Sequence, residues 1–329
     1  MKVGITGANG FIGNHLTRYV TSLGHEVIAF LLQGTSNTLL EDLPHQVFWG
    51  DVLDTESLYP FLNSCDVLFH LAGFNRYWSR DPNVFHKLNV LGPINIAAAC
   101  LAMGIEKIVH VSSCVTLGVS EQPVPRNEKS EFNMSGTRFL YAETKKTGED
   151  EIKRWAIKKG LPVVIVNPAS AIGEMDYGPT PIGEPIVDIC KGWWPVWVDG
   201  GACFVDVHDL VQGLWLALEK GRAGEQYLLA GDNLSNKEFI SKVAKLAGKG
   251  RPKVRIPKSL LSLVAHCQEG IADHLTHRAP KLTVGMQGLI GKYLYYESAK
   301  AKDELGYNPI SCDGAMERSI QWFRSNGYI

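Results

Sequence analysis

Along the first half of the chain, short apolar runs alternate with amphipathic stretches. KVGIT (2–6) is an apolar run that stops at glycines. GFIGNHLTRYVTSLG (10–24) then places Ile12, Leu16, Tyr19, Val20 and Leu23 at helical spacing, and Gly24 ends the pattern. HEVIAFLL (25–32), HQVFWGDV (45–52), CDVLFHLAG (65–73), EKIVHVSS (106–113) and LPVVIVNP (161–168) read as strands. PNVFHKLNVLGPINIAAACLAMG (82–104) reads as one long helix broken or kinked near Pro93, and FLYAETKKTGEDEIKRWAIKKG (139–160) as an amphipathic helix. Strands that alternate with helices imply right-handed crossovers, and near-continuous apolar strands imply a sheet covered on both faces. The fold class predicted is therefore α/β: a doubly wound parallel sheet of the Rossmann kind.

The second half is less periodic. YGPTPIGEPIVDICKGWWPVWVDGG (177–201) is rich in proline and glycine and then aromatic, which suits a cover over a substrate. FVDVHDLVQGLWLALEKG returns to the sheet through a helix, and EQYLLAG (225–231) reads as a further strand. KSLLSLVAHCQEGIADHLTH (258–277) is an amphipathic helix, and PKLT and KYLYYES complete a smaller C-terminal lobe. The division expected is a dinucleotide-binding domain over 1–167, rejoined by 204–231, and a substrate lobe built from 168–203 and 232–329.

Two chemical signatures each occur twice. A G-x-x-G-x-x-G is formed by Gly7, Gly10 and Gly13 and again by Gly285, Gly288 and Gly291. A Y-x-x-x-K is formed by Tyr141 and Lys145 and again by Tyr296 and Lys300. Context separates them. A glycine turn holds a pyrophosphate only between a strand's end and a helix's start, where backbone N–H groups and the helix dipole face the anion. The first set has that setting. The second has no clear strand before it and too little chain after it to build a sheet, so 285–300 is expected to be structural.

Tyr141 and Lys145 lie one helical turn apart on one face. A tyrosine that exchanges protons near neutrality must drop about 3 units from its free pKa of ~10, or about 4 kcal/mol, which an ammonium ~4 Å away supplies at an effective dielectric of ~20. VHVSSCVTLG (109–118) adds serines at the end of a central strand, where a hydroxyl faces the ligand crevice. Ser112 and Ser113 point to opposite faces if the strand continues, so one of them faces the substrate. Cys114 lacks a base at triad spacing and is not read as a nucleophile.

Composition narrows the class further. A net charge of −1 over 329 residues gives no electrostatic footprint for nucleic acid or an anionic membrane. Seven scattered cysteines without a C-x-x-C pair fit a reducing cytoplasm rather than a disulfide framework or a zinc site. No signal peptide is read at the N-terminus, and no apolar run approaches the ~20 residues of a membrane span. His266, His274 and His277 lack partners at ligand spacing, so no metal is expected.

TGANGFIG, GDVLD, HLAG, VSSCVTLG and YAETK, in that order, resemble the extended short-chain dehydrogenase/reductase family, that is, the NAD-dependent epimerases and dehydratases. RYWSRDP, VVIVNPASAIGEMDYGPTPIG and SAKAKDELGY resemble the dihydroflavonol-4-reductase-like branch, including bacterial hopanoid-associated sugar epimerases. The resemblance covers essentially the whole chain. It implies a catalytic set of Ser113, Tyr141 and Lys145, with Asn89 supporting a proton relay. It implies cofactor contacts from Gly7, Asn9, Gly10, Phe11, Ile12 and Gly13, from Leu32 at the end of the second strand, and from Asp51 and Val52 at the adenine. Leu71, Ala72 and Gly73 would run past the adenosine ribose, Lys145 would reach the ribose hydroxyls, and Pro168, Ala169 and Ser170 would lie near the carboxamide.

The cofactor implied is NAD or NADP. The chain departs from both usual patterns, with Leu31, Leu32 and Gln33 where NAD readers place an acid and NADP readers of this branch an arginine. No Lys or Arg occurs between Arg18 and Arg76, which favours NAD. Three functions follow: a ketone or aldehyde reductase (or the reverse alcohol dehydrogenase), a nucleotide-sugar epimerase or dehydratase, and a redox-sensing binding protein without turnover. The reductase is the reading adopted. DGGACFVDVHDL carries no cation where the epimerases place a diphosphate-binding arginine, although Asn167-Pro168 matches an epimerase-like pair and Arg251, Arg255, Arg278 or Lys281 could substitute. Trp193, Trp194 and Trp197 in the cover suit an apolar or aromatic carbonyl or alcohol. The oligomeric state stays open, with a homodimer as one option.

Overall fold

The computed structural model describes residues 1–192 and 196–329. Trp193 and Trp194 lie outside the described residues. The strands are β1 (Lys2–Thr6), β2 (Glu26–Leu32), β3 (Gln46–Gly50), β4 (Val67–His70), β5 (Lys107–Val111), β6 (Val163–Pro168), β7 (Ser170–Ile172), β8 (Val196–Trp197), β9 (Gly201–Asp206), β10 (Gln226–Leu229), β11 (Asp232–Ser235), β12 (Val254–Arg255) and β13 (Tyr293–Leu294). The α-helices are α1 (Phe11–Ser22), α2 (Thr55–Leu62), α3 (Asn83–His86), α4 (Gly92–Met103), α5 (Leu140–Lys159), α6 (Gly183–Cys190), α7 (Val207–Lys220), α8 (Asn236–Leu246), α9 (Lys258–Ile271), α10 (Ala299–Leu305) and α11 (Asp313–Ser325).

Seven strands form one parallel sheet in the order β10-β6-β5-β4-β1-β2-β3. The chain steps outward from β1 to β3, returns to β4 on the other side, and so creates a switch point between β1 and β4. Alternation along β2 shows why both faces are covered. Val27, Ala29 and Leu31 pack into one core with α1 and α7 residues, while Ile28 and Phe30 pack into a second with α2 and α4 residues. The Rossmann architecture read from the apolar runs is the one observed. A smaller sheet, with β7, β11 and β13 paired to β9, carries a third core shared with α6, α8 and α11.

Two expectations change. The long helix over 82–104 is not broken at Pro93. It runs through a π-helical turn, Lys87–Leu91, and Pro93 falls in the first turn of α4, where its missing N–H costs least. The span expectation also needs correction. Asn83–Met103, with 21 residues and a mean hydropathy of 1.3, is long and apolar enough to cross a membrane by length and composition. Its apolar character serves packing here, because its windows face α2 and α5 and half of that stretch is buried.

The π-turn sets the spacing of the site. It pushes the Asn89 carbonyl toward α5 so closely that a Cβ on Gly148 would lie 1.9 Å from it. Only glycine permits this approach, and α5 is the helix that carries Tyr141 and Lys145. Gly148→Ala is therefore expected to destabilise the protein by roughly 1–3 kcal/mol by overpacking and to lower turnover as well, measured by chemical denaturation and initial rates on the same preparation.

Candidate active site

One cavity of about 640 Å³ runs along the C-terminal ends of the central strands. Every cofactor contact expected from the sequence lines it, from Gly7 to Ser170, as do Ser113, Tyr141 and Lys145. Asn89 alone of the expected residues does not.

The glycine turn between β1 and α1 is built for an anion. Gly7 has a φ of +70°, and a Cβ there would meet the Ala72 backbone N at 3.0 Å. A Cβ on Gly13 would lie 2.1 Å from the Gly7 carbonyl oxygen, so helix and strand meet with no room for a side chain. The first turn of α1 has neither a side-chain cap at Gly10 nor an acidic residue, which leaves its N–H groups facing the cavity. This cradle fits a dinucleotide pyrophosphate. At the end of β2, Leu32 is 52% exposed. Asn9 Nδ2 donates to Thr35 Oγ1 and to the Ser36 carbonyl, each at 3.0 Å, which ties the loop after β2 to the glycine turn. The nearest sequence cation, Arg18, is already held by Asp42, the Asn14 amide oxygen and the Leu39 carbonyl.

At the other end of the cavity the two serines part company. Ser112 Oγ donates to the buried Glu149 carboxylate at 2.7 Å. Both serines line the cavity, and the Ser113 hydroxyl is the one that interacts with the Tyr141 phenol. Lys145 is buried, and its Nζ donates to the Val111 carbonyl at 3.3 Å. Burial pulls the Lys145 ammonium down to about 8, with Glu149 opposing that shift. Burial likewise pushes the Tyr141 phenol up to about 12, and Ser113 pulls it partly back. The expectation that Lys145 by itself lowers Tyr141 is thus revised. Its ammonium bonds the end of β5 rather than the phenol, and loss of water around the ring dominates.

Two buried histidines lie near Lys145 at these strand ends. His70 and His110, buried on β4 and β5, are both held neutral by burial, helped by Lys145; His110 is lowered to about 3. Cys114 is buried and its thiol is raised to about 12 by burial, which makes it inert as a nucleophile.

Asn89 sits beside this site with its side chain committed elsewhere. Its Oδ1 accepts from the Phe74 N–H at 2.9 Å, and its Nδ2 donates to the Phe74 carbonyl at 3.1 Å and to Thr144 Oγ1 at 3.2 Å. It clamps the loop that follows Leu71–Gly73. Asn167, offered as a diphosphate contact, is fully buried and spent. Its Nδ2 lies within 3.0 Å of the Ser113 carbonyl, Thr116 Oγ1 and Glu149, and its Oδ1 accepts from Gln226 at 2.7 Å. Trp197 packs against the small-lobe core, under the Lys237 ammonium, and is not part of the cavity wall.

Sequence reasoning missed Glu149 and the substrate wall. Glu149 is 1% exposed and accepts from Ser112, Thr116, Lys153, Asn167 and Gln226. Burial alone would raise its carboxyl, but Lys153 and the hydroxyls hold it lowered. Its signal lay in the i, i+4 spacing from Lys145, hidden among the many charges of α5. Tyr77, Val115, Phe139, Pro181, Ile182, Leu289 and Leu294 form the apolar end of the cavity, from five separate segments. The residues of the second signature do not line this cavity. Tyr296 is 1% exposed and donates to the Gly118 carbonyl at 2.9 Å, and Lys300 bonds Glu225 and the Gln226 carbonyl.

His15, Glu174 and His208 place ligand atoms within 4.8 Å of one another. They are joined to one another and to Arg318 by hydrogen bonds. Glu174 accepts from His208 Nε2 at 2.7 Å and from Arg318 Nε at 2.9 Å, and the His15 ring bonds the Glu174 carbonyl. The guanidinium beside the carboxylate disfavours a cation there.

The sequence model of the NAD dependent epimerase/dehydratase family matches residues 3–230. A putative dihydroflavonol 4-reductase from Synechocystis is 30% identical, over 99% of this chain and 95% of that protein. Sterol demethylase protein B from Methylococcus capsulatus is 28% identical over 99% of each. The solved structure of a nucleoside-diphosphate-sugar epimerase from Pseudomonas aeruginosa superposes with a TM-score of 0.81 at 26% identity, covering 100% of this chain and 99% of that one.

The depressed Lys145 has a measurable consequence. A lysine whose folded pKa lies below its unfolded value destabilises the fold while it is charged. The penalty is fully present below about 8 and is relieved as pH rises from there toward the unfolded value of ~10.4. Lys145→Met should raise the melting temperature of cofactor-free protein at pH 7 and weaken dinucleotide binding. Tyr296→Phe should do the reverse, losing about 1 kcal/mol of stability while leaving binding and turnover near wild type. Thermal melts and fluorescence titration check both.

Proposed function

The chain belongs to the NAD dependent epimerase/dehydratase family, and we propose that within it this protein reduces an apolar or aromatic ketone or aldehyde, or oxidises the corresponding alcohol. One observation carries the reading. The substrate end of the cavity is apolar, and the cations among its lining residues are Lys87 and Lys145. Neither stands on the small lobe, where a nucleotide sugar would place its diphosphate. A buried diphosphate without a paired cation is costly.

The residues that could have supplied one are engaged or distant. Asn167 is buried in its network, Cys203 stands buried where an epimerase arginine is expected, Arg255 pairs with Asp199 and Lys281 with Asp188. Arg251 and Arg278 are exposed and do not line the cavity. The sterol-named relative, similar over nearly its whole length, supports an apolar substrate.

In this reading Tyr141 gives its proton to the substrate oxygen as the carbonyl carbon gains hydride, and Ser113 holds that oxygen by a hydrogen bond. Bound at the cradle, a reduced nicotinamide supplies the hydride and, once oxidised, a positive charge that favours the phenolate. Lys145 holds the ribose and the strand end, and Asn89 positions the Phe74 loop. The dinucleotide-binding part is 1–167 with 204–231; 168–203 and 232–329 close over the substrate. The free, mostly buried cysteines support a reducing cytoplasmic setting. Exposed Leu91, Leu101 and Ile157 on the α4 and α5 side support a homodimer.

Three outcomes test it. Tyr141→Phe should lower turnover by ~100-fold or more with cofactor affinity retained; a variant keeping a tenth of the wild-type rate sinks the assigned acid. NAD(H) should bind at least as well as NADP(H) in a fluorescence titration, because no cation stands by the end of β2; a clear NADPH preference would show that another residue, such as Lys87, reaches the 2′-phosphate. Small aryl and alkyl ketones should turn over while UDP- and GDP-sugars do not. Micromolar binding of a nucleoside diphosphate to enzyme already filled with dinucleotide would move the protein to the epimerases.

A further inference from the structure

Helix α9 and the π-turn Ala272–Thr276 that extends it carry their apolar residues on the wrong side for a core helix. Along this stretch the buried residues are Ala265 and Ala272. Leu260, Leu263, Ile271 and Leu275 are instead 49%, 62%, 49% and 75% exposed, and exposed Cys267 falls between them. With Cys267 included, the spacing of three, four, four and four residues makes one outward stripe about 22 Å long at 1.5 Å per residue. The inner side is held by polar contacts. Gln268 accepts from the Leu282 N–H, Glu269 from the Val284 N–H, and Asp273 from the Trp78 indole. Both acids of the stretch are thus turned toward the protein.

The charge around the stripe is equally one-sided. Between residues 249 and 281 there are seven Lys and Arg against two acids, a net of +5 in a chain whose net charge is −1. All seven are exposed: Lys249, Arg251, Lys253 and Arg255 before the helix, Lys258 at its first residue, and Arg278 and Lys281 after it; of these, Arg255 pairs with Asp199 and Lys281 with Asp188. Exposed Val254 stands within the first group. An outward apolar stripe flanked at both ends by cations is the pattern of a helix lying in a bilayer interface, with its apolar side among the acyl chains and its cations on anionic headgroups.

We propose that this face docks the protein on the anionic surface of a lipid bilayer, through Leu260, Leu263, Ile271 and Leu275 with Arg251, Lys253 and Arg278 at the headgroups. Charge selects this occupant over a second copy of the chain. Pairing two such faces would set one cationic cluster against another, whereas an anionic surface complements it. The docking stands apart from the reaction assigned above. It also places the site suitably for a lipid-soluble substrate. Glu269 on α9, Asp273 on its π-turn and His277 just after it wall a cavity of about 350 Å³, and Tyr77 lines both this cavity and the catalytic one.

The test is sedimentation of the full chain with vesicles of phosphatidylcholine alone and of phosphatidylcholine with phosphatidylserine. Wild type should bind the anionic vesicles, and binding should weaken as salt rises. Leu263→Ser with Leu275→Ser should lower that binding about tenfold or more. Arg251→Gln, Lys253→Gln and Arg278→Gln combined should lower it on the order of 100-fold on anionic vesicles and leave neutral ones unaffected. Both variants should keep the wild-type melting temperature and NAD binding, since these side chains are exposed and none lines the cofactor cavity. Wild type that stays in the supernatant with anionic vesicles at low salt overturns the proposal, and so does a stripe variant that binds like wild type. Analytical ultracentrifugation without vesicles covers the remaining case: wild type that self-associates, loses this on stripe substitution and ignores vesicles gives the face to a second copy.

Discussion

The buried carboxylate of Glu149 is the constraint on which the site depends. It sits on α5, yet the groups it binds come from the end of β5, the following turn, β6 and β10. An ionised carboxylate in such a place is tolerable only if its lone pairs are filled, and here hydroxyls, amides and the Lys153 ammonium fill them. The result is a rivet between one helix and three strands of the sheet. It fixes the rotation of α5, so that Tyr141 and Lys145 meet Ser113 at the cavity. It also binds Ser112, which leaves Ser113 as the serine that interacts with the Tyr141 phenol.

Much of this was legible in the sequence, for physical reasons that differ by residue. Strands buried on both faces are apolar at every position, so β1, β2, β4, β5 and β6 announced themselves. The glycine turn was legible because strand, glycines and helix are contiguous in the chain, and the same logic rejected Gly285–Gly291. The π-turn was not legible, since one extra residue per turn leaves no compositional mark and Pro93 is a stronger visible signal. Glu149 was hidden because a charged residue on a charged helix looks solvated. The substrate wall was hidden because Tyr77, Phe139, Ile182 and Leu289 converge only in three dimensions. Asn167 shows the opposite error: a motif residue that looks available proves to be consumed by structure.

A site with Lys145 desolvated and Tyr141 raised is not poised for chemistry by itself. Burial has removed the water that would stabilise either charge, and the cradle ends beside both groups. Stability given up at Lys145 is the trade common to functional sites. The apolar wall then limits which molecules can complete the cavity, and the amphipathic face of α9 suggests a bilayer surface as their source.

The central claim is that the protein transfers hydride between a nicotinamide cofactor and an apolar carbonyl compound or its alcohol, with net oxidation or reduction of the cofactor, and does not return it to the same sugar. The most direct measurement is the mass of the product formed from 4,4-dideuterated reduced nicotinamide cofactor and an aryl or alkyl ketone. The expected result is an alcohol carrying one deuterium for each cofactor oxidised. A cofactor that keeps its absorbance and its label, while a nucleotide sugar changes configuration or loses water, would contradict the account.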